Sequence, residues 1–321
     1  MIEYGAFKVL MTLMTSLPHG FTSRAGASVA ALFGEFGRWL GARGHRQAVR
    51  NLEMAFPDLS PAERDGIRRG MWRNWGRFIA DFGRFGYLSH DRLRELITLD
   101  PPHIAPEIAE RAKKRGALVL TAHYGSFEML HAGVAAYGYP VTIVHRRFTN
   151  ELFDRWIVKM RGNVGTRSLA RGEAARDLVD ALRAGQIVAI PFDQIAKKSA
   201  QTFAPFFGVP ASTNNGLARL ALVTGAPVYP VVIAREGDTL RHRALFGPEI
   251  PVERTGDRQH DLLVNTRRFN EVLEALIRKH PDHWIWMYGR WKRQPDGLVS
   301  PYLRNAPPLA VYRAAAAATT G

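Results

Sequence analysis

Residues 117–130, ALVLTAHYGSFEML, place a histidine and a glycine between an apolar run and the start of a helix. The run at 117–120 is typical of a buried strand. His123 and Glu128, with four residues between them, are one way to build a general base and the carboxylate that orients its ring. Such a base could take a proton from a hydroxyl. A strand-end histidine with a structural role fits the same short pattern, so only the rest of the chain can separate these alternatives.

Strands and helices alternate along the chain. Apolar periodicity and turn residues predict helices over 61–85, 104–115, 151–161, 172–184, 215–224 and 261–280, and strands over 117–122, 141–144, 186–191, 227–234 and 239–246, the last of them antiparallel. We therefore predict an α/β fold with a mixed, largely parallel central sheet flanked by helices. Ligands bind beyond the carboxyl ends of the strands in such sheets. His123 and Asp193 each follow a buried strand, so both could line one crevice.

The amino-terminal region contains two apolar stretches that are too short to cross a membrane. Residues 4–17 include Lys8, and residues 25–40 include Glu35 and Arg38, whereas a spanning helix needs about 20 apolar residues. We expect two amphipathic helices in the plane of a membrane interface, with packing on the protein's own core as the alternative. The expected apolar face of the first helix consists of Phe7, Leu10, Leu13, Met14 and Leu17.

These patterns divide the chain into three parts. Residues 1–45 form the predicted membrane-associating helical segment, and residues 46–305 form the α/β domain. Residues 306–321 contain Pro307-Pro308 and the alanine run at 314–318. We expect this tail to be disordered.

The charge balance of the 321-residue chain is strongly basic, with 44 Lys and Arg against 29 Asp and Glu and a net charge of +15. This surplus predicts an anionic partner such as an acidic lipid surface or an acidic protein, although a general bias toward arginine would also produce it. The chain has no cysteine, which excludes disulfides, thiolate nucleophiles and Cys-ligated zinc. The histidines are scattered without metal-ligand spacing, so we expect no metal site. The aromatic and basic segment 284–293 lacks a surrounding nucleic-acid module, so we expect no nucleic-acid partner.

Six blocks of sequence, in order, resemble the bacterial lipid A late acyltransferases, a family that includes lauroyl and myristoyl acyltransferases and has relatives that acylate phosphatidylinositol mannosides. The resemblance covers about residues 8–295. The blocks are Asn51-Leu52 with 55–60 (AFPDLS) and Glu63-Arg64; 123–128 (HYGSFE); 192–194 (FDQ); 204–208 (APFFG); Leu220-Ala221 with 224–226 (TGA); and His280-Pro281 with Trp284, Trp286, Arg290, Trp291 and Lys292.

The resemblance implies a glycerolipid-acyltransferase-like fold and an O-acyltransferase. The enzyme would move a fatty acyl chain from acyl carrier protein to a hydroxyl of a glycolipid at the cytoplasmic face of the bacterial inner membrane. The family's histidine falls on His123 and its acid on Glu128, while its arginine and aspartate fall on Arg161 and Asp193. The chain departs from the family pattern at Ile195, where a second acid is common, and at Tyr288-Gly289, where a histidine-arginine pair is common.

The expected mechanism is direct transfer, with His123 as general base and Glu128 hydrogen-bonded to its other ring nitrogen. We expect backbone N–H groups near Gly125 and Ser126 to stabilise the oxyanion. The expected substrate-binding residues are Arg146, Arg161, Asp193, Arg290 and Lys292. The acyl groove should lie between the amino-terminal helices and the core, with Trp72, Trp75, Phe78 and Phe82 as candidate lining residues.

No cofactor is expected beyond the acyl donor, and the protein is expected to be a monomer. Three alternatives stay open. The donor could be acyl-coenzyme A, and the acceptor could be a phosphatidylinositol mannoside or a lysophospholipid. The protein could also be a non-catalytic membrane protein that binds anionic lipid through its basic face.

Overall fold

Helices and strands alternate through the central part of the chain, as the sequence predicts. The computed structural model describes residues 2–170 and 174–318. The α-helices are α1 (Ile2–Ser16), α2 (His19–Trp39), α3 (Arg43–Ala55), α4 (Pro61–Phe82), α5 (His90–Leu96), α6 (Ile104–Arg115), α7 (Phe127–Ala136), α8 (Glu151–Asn163), α9 (Ala174–Arg183), α10 (Gly216–Thr224), α11 (Arg258–Lys279) and α12 (Leu309–Ala318). The strands are β1 (Ile97–Asp100), β2 (Ala117–Thr121), β3 (Val141–His145), β4 (Arg167–Ala170), β5 (Ile187–Pro191), β6 (Gln201–Phe206), β7 (Val209–Asn214), β8 (Val228–Arg235) and β9 (His242–Phe246).

The central sheet has seven strands in the order β1-β9-β8-β2-β5-β3-β4. The β8–β9 pair is antiparallel, and the other neighbouring pairs are parallel. The prediction of a mixed, largely parallel sheet is therefore confirmed, including the antiparallel strand near residues 239–246. Strand β2 is buried at every position, because helices cover both faces of a sheet of this kind. Strands β6 and β7 form a separate antiparallel pair.

The register between β2 and β5 positions the candidate site. Thr121, the last residue of β2, lies opposite Pro191, the last residue of β5. Both strands run in the same direction, so the residues that follow them emerge at the same edge of the sheet. His123 and Asp193 each lie two residues beyond this paired position. The crevice that the sequence predicts for these two residues is therefore a consequence of strand register.

The amino-terminal helices pack closely against α4. A Cβ atom added to Gly76 in α4 would lie 2.0 Å from the carbonyl oxygen of Gly26 in α2, so the two backbones meet where neither residue has a side chain. Helix α4 begins with a capping box, in which the Ser60 side chain accepts from the Glu63 N–H and the Glu63 side chain accepts from the Ser60 N–H. Over residues 2–170 and 174–318, the structure shows no helix that is both long and apolar enough to cross a membrane.

The carboxyl-terminal tail corrects one expectation. Within the segment expected to be disordered, residues 309–318 form α12. Tyr312 is fully buried, and its hydroxyl donates to the Val299 carbonyl at 2.9 Å. Alanine has the highest intrinsic helix propensity, and Tyr312 fixes the helix to the core. Residues 319–321 of the predicted tail and residues 172–173 of a predicted helix lie outside the described residues.

Candidate active site

A hydrogen-bonded histidine and aspartate lie at the carboxyl edge of the sheet. The Nδ1 atom of His123 is 2.9 Å from Oδ1 of Asp193. Because an ionised carboxylate only accepts, we assign the Nδ1–H tautomer, which donates to Asp193 and leaves Nε2 as the basic nitrogen. The side chain of His123 is 26% exposed, so a substrate can reach the ring. The side-chain amide nitrogen of Gln194 lies 3.3 Å from Nε2.

Asp193 is held by three donors. Its Oδ2 accepts from the backbone N–H of His123 at 3.1 Å and from the indole N–H of Trp284 at 3.0 Å, while Oδ1 accepts from the His123 ring. Asp193 is 4% exposed. Burial raises the pKa of Asp193, but the charge and hydrogen bond of His123 and the Trp284 hydrogen bond outweigh it, so the pKa lies below its usual value. The carboxylate is therefore charged and fixed in orientation.

The pKa of His123 is set by two opposing effects. Burial lowers it, whereas the charge of Asp193 and the hydrogen bond from the ring to Asp193 raise it, with a smaller contribution from the charge of Glu128. The result is a pKa above the ordinary value. Asp193 thus stabilises the imidazolium that forms when His123 accepts a proton.

Glu128 has different partners from those predicted. Its Oε1 accepts from Nη2 of Arg161 at 2.5 Å, and its Oε2 accepts from Nε of Arg161 at 3.0 Å and from Nε2 of His131 at 2.7 Å. The predicted hydrogen bond between His123 and Glu128 is therefore wrong, and Asp193 is the carboxylate that orients the ring. The reason is that Glu128 lies in the first turn of α7, buried toward α8, which carries Arg161. Glu128 stays charged, because Arg161 and His131 lower its pKa more than burial raises it.

The turn that carries His123 depends on a glycine. Gly125 has φ +56°, and a Cβ atom there would lie 2.2 Å from the carbonyl oxygen of Ile233. The backbone N–H of Gly125 donates to the carbonyl of His283 at 2.8 Å. This corrects the expectation that Gly125 supplies an oxyanion donor, since its N–H already has a backbone acceptor. The hydroxyl of Ser126 donates to the buried carboxylate of Asp81. The backbone N–H of Ser126 as an oxyanion donor stays a prediction.

Asp81 is the centre of a buried polar cluster that the sequence did not indicate. Its carboxylate accepts from Arg235 and from Ser126, and it lies 2.9 Å from Nε2 of His19 and 3.4 Å from Nε2 of His242. Burial raises the pKa of Asp81, but Arg235 and the two histidines lower it further, so it is charged. The cluster joins α2, α4 and β8 to the residue before α7. It therefore connects the amino-terminal helices with the turn that carries His123.

The predicted basic residues fall into different environments. Arg290 is fully buried, donates to the Ser212 carbonyl and the Thr213 hydroxyl, and lies over the ring of Phe206. The expectation that Arg290 binds substrate is thus wrong, because the aromatic block 284–293 packs inside the protein and takes Arg290 with it. Burial lowers the pKa of Arg290 to about 10. Arg146 and Lys292 are exposed.

A cavity of about 1040 Å³ contains His123 in its wall. Its polar lining at the carboxyl edge of the sheet includes Arg146, Arg161 and Gln194. Its remaining lining is mainly apolar and includes Phe78, Phe82, Val119, Phe127, Leu130, Val134, Ile143 and Ile157. Phe78 and Phe82 therefore lie where the sequence suggested. The cavity extends into the α/β core beside the sheet, however, and Trp72 packs instead at the position of Gly34 in α2.

The site is organised around one base and a mainly apolar cavity. Over residues 2–170 and 174–318, no three histidine, aspartate or glutamate side chains converge to hold a metal ion, so we assign no residue to a metal. Of the predicted residues, the structure places His123, Glu128, Arg161 and Arg146 in the cavity wall, with Asp193 hydrogen-bonded to His123. Trp284 and Gln194 complete the surroundings of His123, and both fall in blocks that the sequence singled out without a role.

A protein with this sheet and this site has the features of an acyl-transferring enzyme, and comparison with known proteins agrees. Residues 3–293 match the profile of the bacterial lipid A biosynthesis acyltransferase family. The chain belongs to this family and is an O-acyltransferase.

Three curated relatives have similar lengths. The chain is 26% identical over 298 residues to a lipid A biosynthesis palmitoleoyltransferase of Escherichia coli (strain K12), with 92% of each chain covered. It is 25% identical over 302 residues to the lauroyltransferase of the same organism, covering 91% of this chain and 92% of the relative. It is 23% identical over 277 residues to the lipid A biosynthesis myristoyltransferase of the same organism, with 86% of this chain and 84% of the relative covered.

Proposed function

We propose that this protein transfers a fatty acyl chain from acyl carrier protein to a hydroxyl of a lipid A precursor at the cytoplasmic face of the inner membrane. The observation that carries the proposal is the hydrogen-bonded His123–Asp193 pair in the wall of a mainly apolar cavity. The names of the curated relatives support lipid A as the acceptor class. The pair supplies a base for a hydroxyl, and the cavity supplies space for a hydrocarbon chain.

In the proposed reaction, Nε2 of His123 takes the proton of the acceptor hydroxyl as its oxygen attacks the thioester carbonyl. Asp193 holds the ring and stabilises the imidazolium. The tetrahedral intermediate collapses with cleavage of the carbon–sulfur bond, and the imidazolium returns the proton to the thiolate. A thioester is an activated donor, so the chemistry requires no covalent enzyme intermediate. A positioned base of this kind contributes about 10²–10⁴-fold to the rate.

Two groups near His123 are suited to stabilise the oxyanion. Helix α7 begins at Phe127, whose ring centre lies 5.0 Å from that of His123. The N–H groups of Met129 and Leu130 donate to the Ser126 carbonyl, so the candidate oxyanion donors in the first turn are the N–H groups of Phe127 and Glu128. The second group is Arg161, which lines the cavity. Its Nη1 is buried without a hydrogen-bond partner in the part of the chain that the structure describes. A substrate oxygen would satisfy this nitrogen.

The positive charge of the protein supports an acidic donor. Arg146 and Arg147 line the cavity and are exposed, and the whole chain has a net charge of +15. Acyl carrier proteins are acidic, so opposite charges would speed their encounter with this surface. Turnover at limiting donor should then fall as the salt concentration rises.

The amino-terminal helices are suited to contact the membrane that holds the acceptor. Helix α2 exposes large apolar side chains that include Leu32 at 70% and Trp39 at 78%. Other exposed apolar residues on α1 and around α2 are Val9, Leu10, Leu13, Leu17, Phe21, Val29, Phe33, Phe36 and Leu40. An exposed apolar surface of this extent is typical of a site that contacts a membrane or another protein. We infer that α1 and α2 lie in the membrane interface.

The test is an acyl-transfer assay with the purified full-length protein. Donors are acyl carrier protein thioesters and acyl-coenzyme A, and acceptors are a lipid A precursor, a phosphatidylinositol mannoside and a lysophospholipid, with products identified by mass spectrometry. We expect transfer to the lipid A precursor from acyl carrier protein. His123→Ala should lower kcat by about 10²–10⁴-fold.

The matched control is His103→Ala, which removes an exposed histidine immediately before α6 and should leave turnover unchanged. Transfer to another acceptor alone would overturn the assignment of lipid A. Binding of anionic lipid without transfer from any donor would overturn the enzymatic proposal. Normal turnover in folded His123→Ala would overturn the role of His123.

A further inference from the structure

Two cavities meet at the end of the sheet opposite His123. The second cavity has a volume of about 280 Å³ and is lined by residues of α6, of the turn between α7 and β3, and of the starts of β3 and β5. Three residues line both this cavity and the cavity of about 1040 Å³: Tyr139, Val141 and Ile187. These three residues therefore form a partition between the two cavities.

The larger cavity runs along the strands from the carboxyl edge of the sheet, where His123 lies, to this partition. Its lining includes both the first and last residues of β3, Val141 and His145, and both the first and last residues of β5, Ile187 and Pro191. At about 3.3 Å per residue, four steps along a strand correspond to ~13 Å. A chain that enters beside His123 can thus extend along the sheet until it meets the partition.

Tyr139 is the member of the partition that can change without altering the sheet. Val141 and Ile187 lie opposite each other in the β3–β5 pair, so they belong to the framework. Tyr139 lies before β3, is half-buried, and is the largest of the three side chains. Its ring separates the apolar end of the larger cavity, near Ala105, Ile108 and Val134, from the second cavity, near Ala109 and Ala112.

We propose that Tyr139 sets the maximum length of the acyl chain that the enzyme transfers from its donor. This inference rests on the proposed acyl transfer and adds a determinant of specificity to it. A chain that ends at the Tyr139 ring buries its methylenes, whereas a longer chain must leave carbons outside the cavity or displace the ring. Each methylene that gains or loses burial changes affinity about fourfold, so a difference of two carbons changes selectivity about fifteenfold.

The experiment measures kcat/KM for the full-length protein with a series of saturated acyl carrier protein donors and a constant acceptor. Tyr139→Ala joins the second cavity to the first, so the preferred donor should lengthen by two or more carbons. The ratio of kcat/KM for the longer acyl chain to kcat/KM for the chain that the wild type prefers should rise about fifteenfold. Ala105→Leu fills the larger cavity near the partition and should shift the preference to shorter chains.

The matched control refills the space that Tyr139→Ala opens. Ala109 lines the second cavity, so Tyr139→Ala combined with Ala109→Leu should return the preference toward that of the wild type. Tyr139→Leu retains an apolar side chain and keeps the test valid if the alanine variant does not fold. It should lengthen the preferred chain by a smaller amount.

The outcomes separate this inference from the proposed function. An unchanged chain-length profile in folded Tyr139→Leu and Ala105→Leu, with normal transfer, would overturn the inference and leave the proposed function intact. A second series varies the acyl chains of the acceptor with one constant donor. A change in acceptor preference in that series, with an unchanged donor profile, would also overturn the inference. Absence of transfer by the wild type from every donor would instead remove the proposed function.

Discussion

At His123, the balance between burial and the charge of Asp193 determines how readily the ring accepts a proton. Burial alone would favour the neutral ring, but the Asp193 carboxylate at 2.9 Å makes the imidazolium more stable. The backbone N–H of His123 and the indole N–H of Trp284 hold that carboxylate in place. In the proposed mechanism, the basicity of His123 therefore depends on a residue that need not touch the substrate.

Asp193→Asn should reduce activity and change its pH dependence. Removing the charge of Asp193 lowers the pKa of His123, so the decline of kcat/KM at acidic pH should move to lower pH. Loss of the ring's orientation should reduce kcat by about 10²–10⁴-fold. A pH–rate profile measures both effects. Asp296→Asn at an exposed position is the control, and an unshifted acidic limb in Asp193→Asn would contradict the assignment.

Glu128→Gln should affect stability as well as activity. The substitution leaves Arg161 buried without its charged partner, and breaking a buried ion pair costs about 3–5 kcal/mol. Urea denaturation of the purified variant measures this loss. A variant with wild-type stability and strongly reduced turnover would instead indicate that Glu128 acts directly in the reaction. The catalytic role first predicted for Glu128 stays a prediction until that measurement.

At the residue scale, the predicted location of His123 and Asp193 at one edge of the sheet is confirmed, and the predicted hydrogen bond between His123 and Glu128 is wrong. His123 and Asp193 were recognisable because each follows an apolar run that ends at a polar residue. The pairing of His123 with Asp193 depends on β2 and β5 being neighbours in register, which no local pattern encodes. The sequence predicts that Arg290 binds substrate, but Arg290 is buried against β7 because the tryptophan-rich segment packs inside the protein.

At the scale of elements, the contact between α2 and α4 attaches the amino-terminal helices to the rest of the protein. The backbones meet at Gly26 and Gly76, and His19 at the start of α2 lies 2.9 Å from Asp81 in the last turn of α4. Asp81 also accepts from Ser126, which precedes α7. Movement of α2 relative to α4 would therefore also shift the turn that contains His123.

Two glycines in α4 should respond to alanine in opposite directions. A Cβ atom at Gly76 would overlap the Gly26 carbonyl at 2.0 Å, whereas nothing lies within 4 Å of a Cβ atom at Gly66. Gly66→Ala should stabilise the protein by about 0.5–1 kcal/mol through helix propensity. Gly76→Ala should destabilise it by about 1–3 kcal/mol through overpacking. Thermal unfolding of both variants measures the difference, and equal effects would mean that α2 does not pack closely on α4.

At the scale of the whole molecule, an apolar surface on α1 and α2 and a basic cavity entrance occur in one chain. The apolar surface suits the membrane interface, and the basic entrance suits an acidic donor from solution. The cavity, whose lining includes Arg146 and Arg147, has a volume of about 1040 Å³. An enzyme that joins a soluble thioester to a membrane lipid needs all three features.

Phe33→Glu should weaken binding to vesicles. Phe33 is 66% exposed on α2, and a charge there opposes insertion of the apolar surface into the interface. Flotation with vesicles of zwitterionic and anionic lipid measures the bound fraction. Val223→Glu introduces the same charge at an exposed apolar position on α10 and should leave binding unchanged. If both variants bound vesicles as well as the wild type does, the proposed membrane surface would be contradicted.

The sequence alone determined the α/β architecture, the amphipathic amino terminus and the positions of the histidine and the aspartate, because each is encoded in a local run of apolar and polar residues. Tertiary structure decided which carboxylate orients His123, where the acyl cavity lies and which arginine is buried. It also decided that Tyr139 separates two cavities. Those features arise from strand register and from the packing of residues far apart in the chain, which local periodicity does not contain.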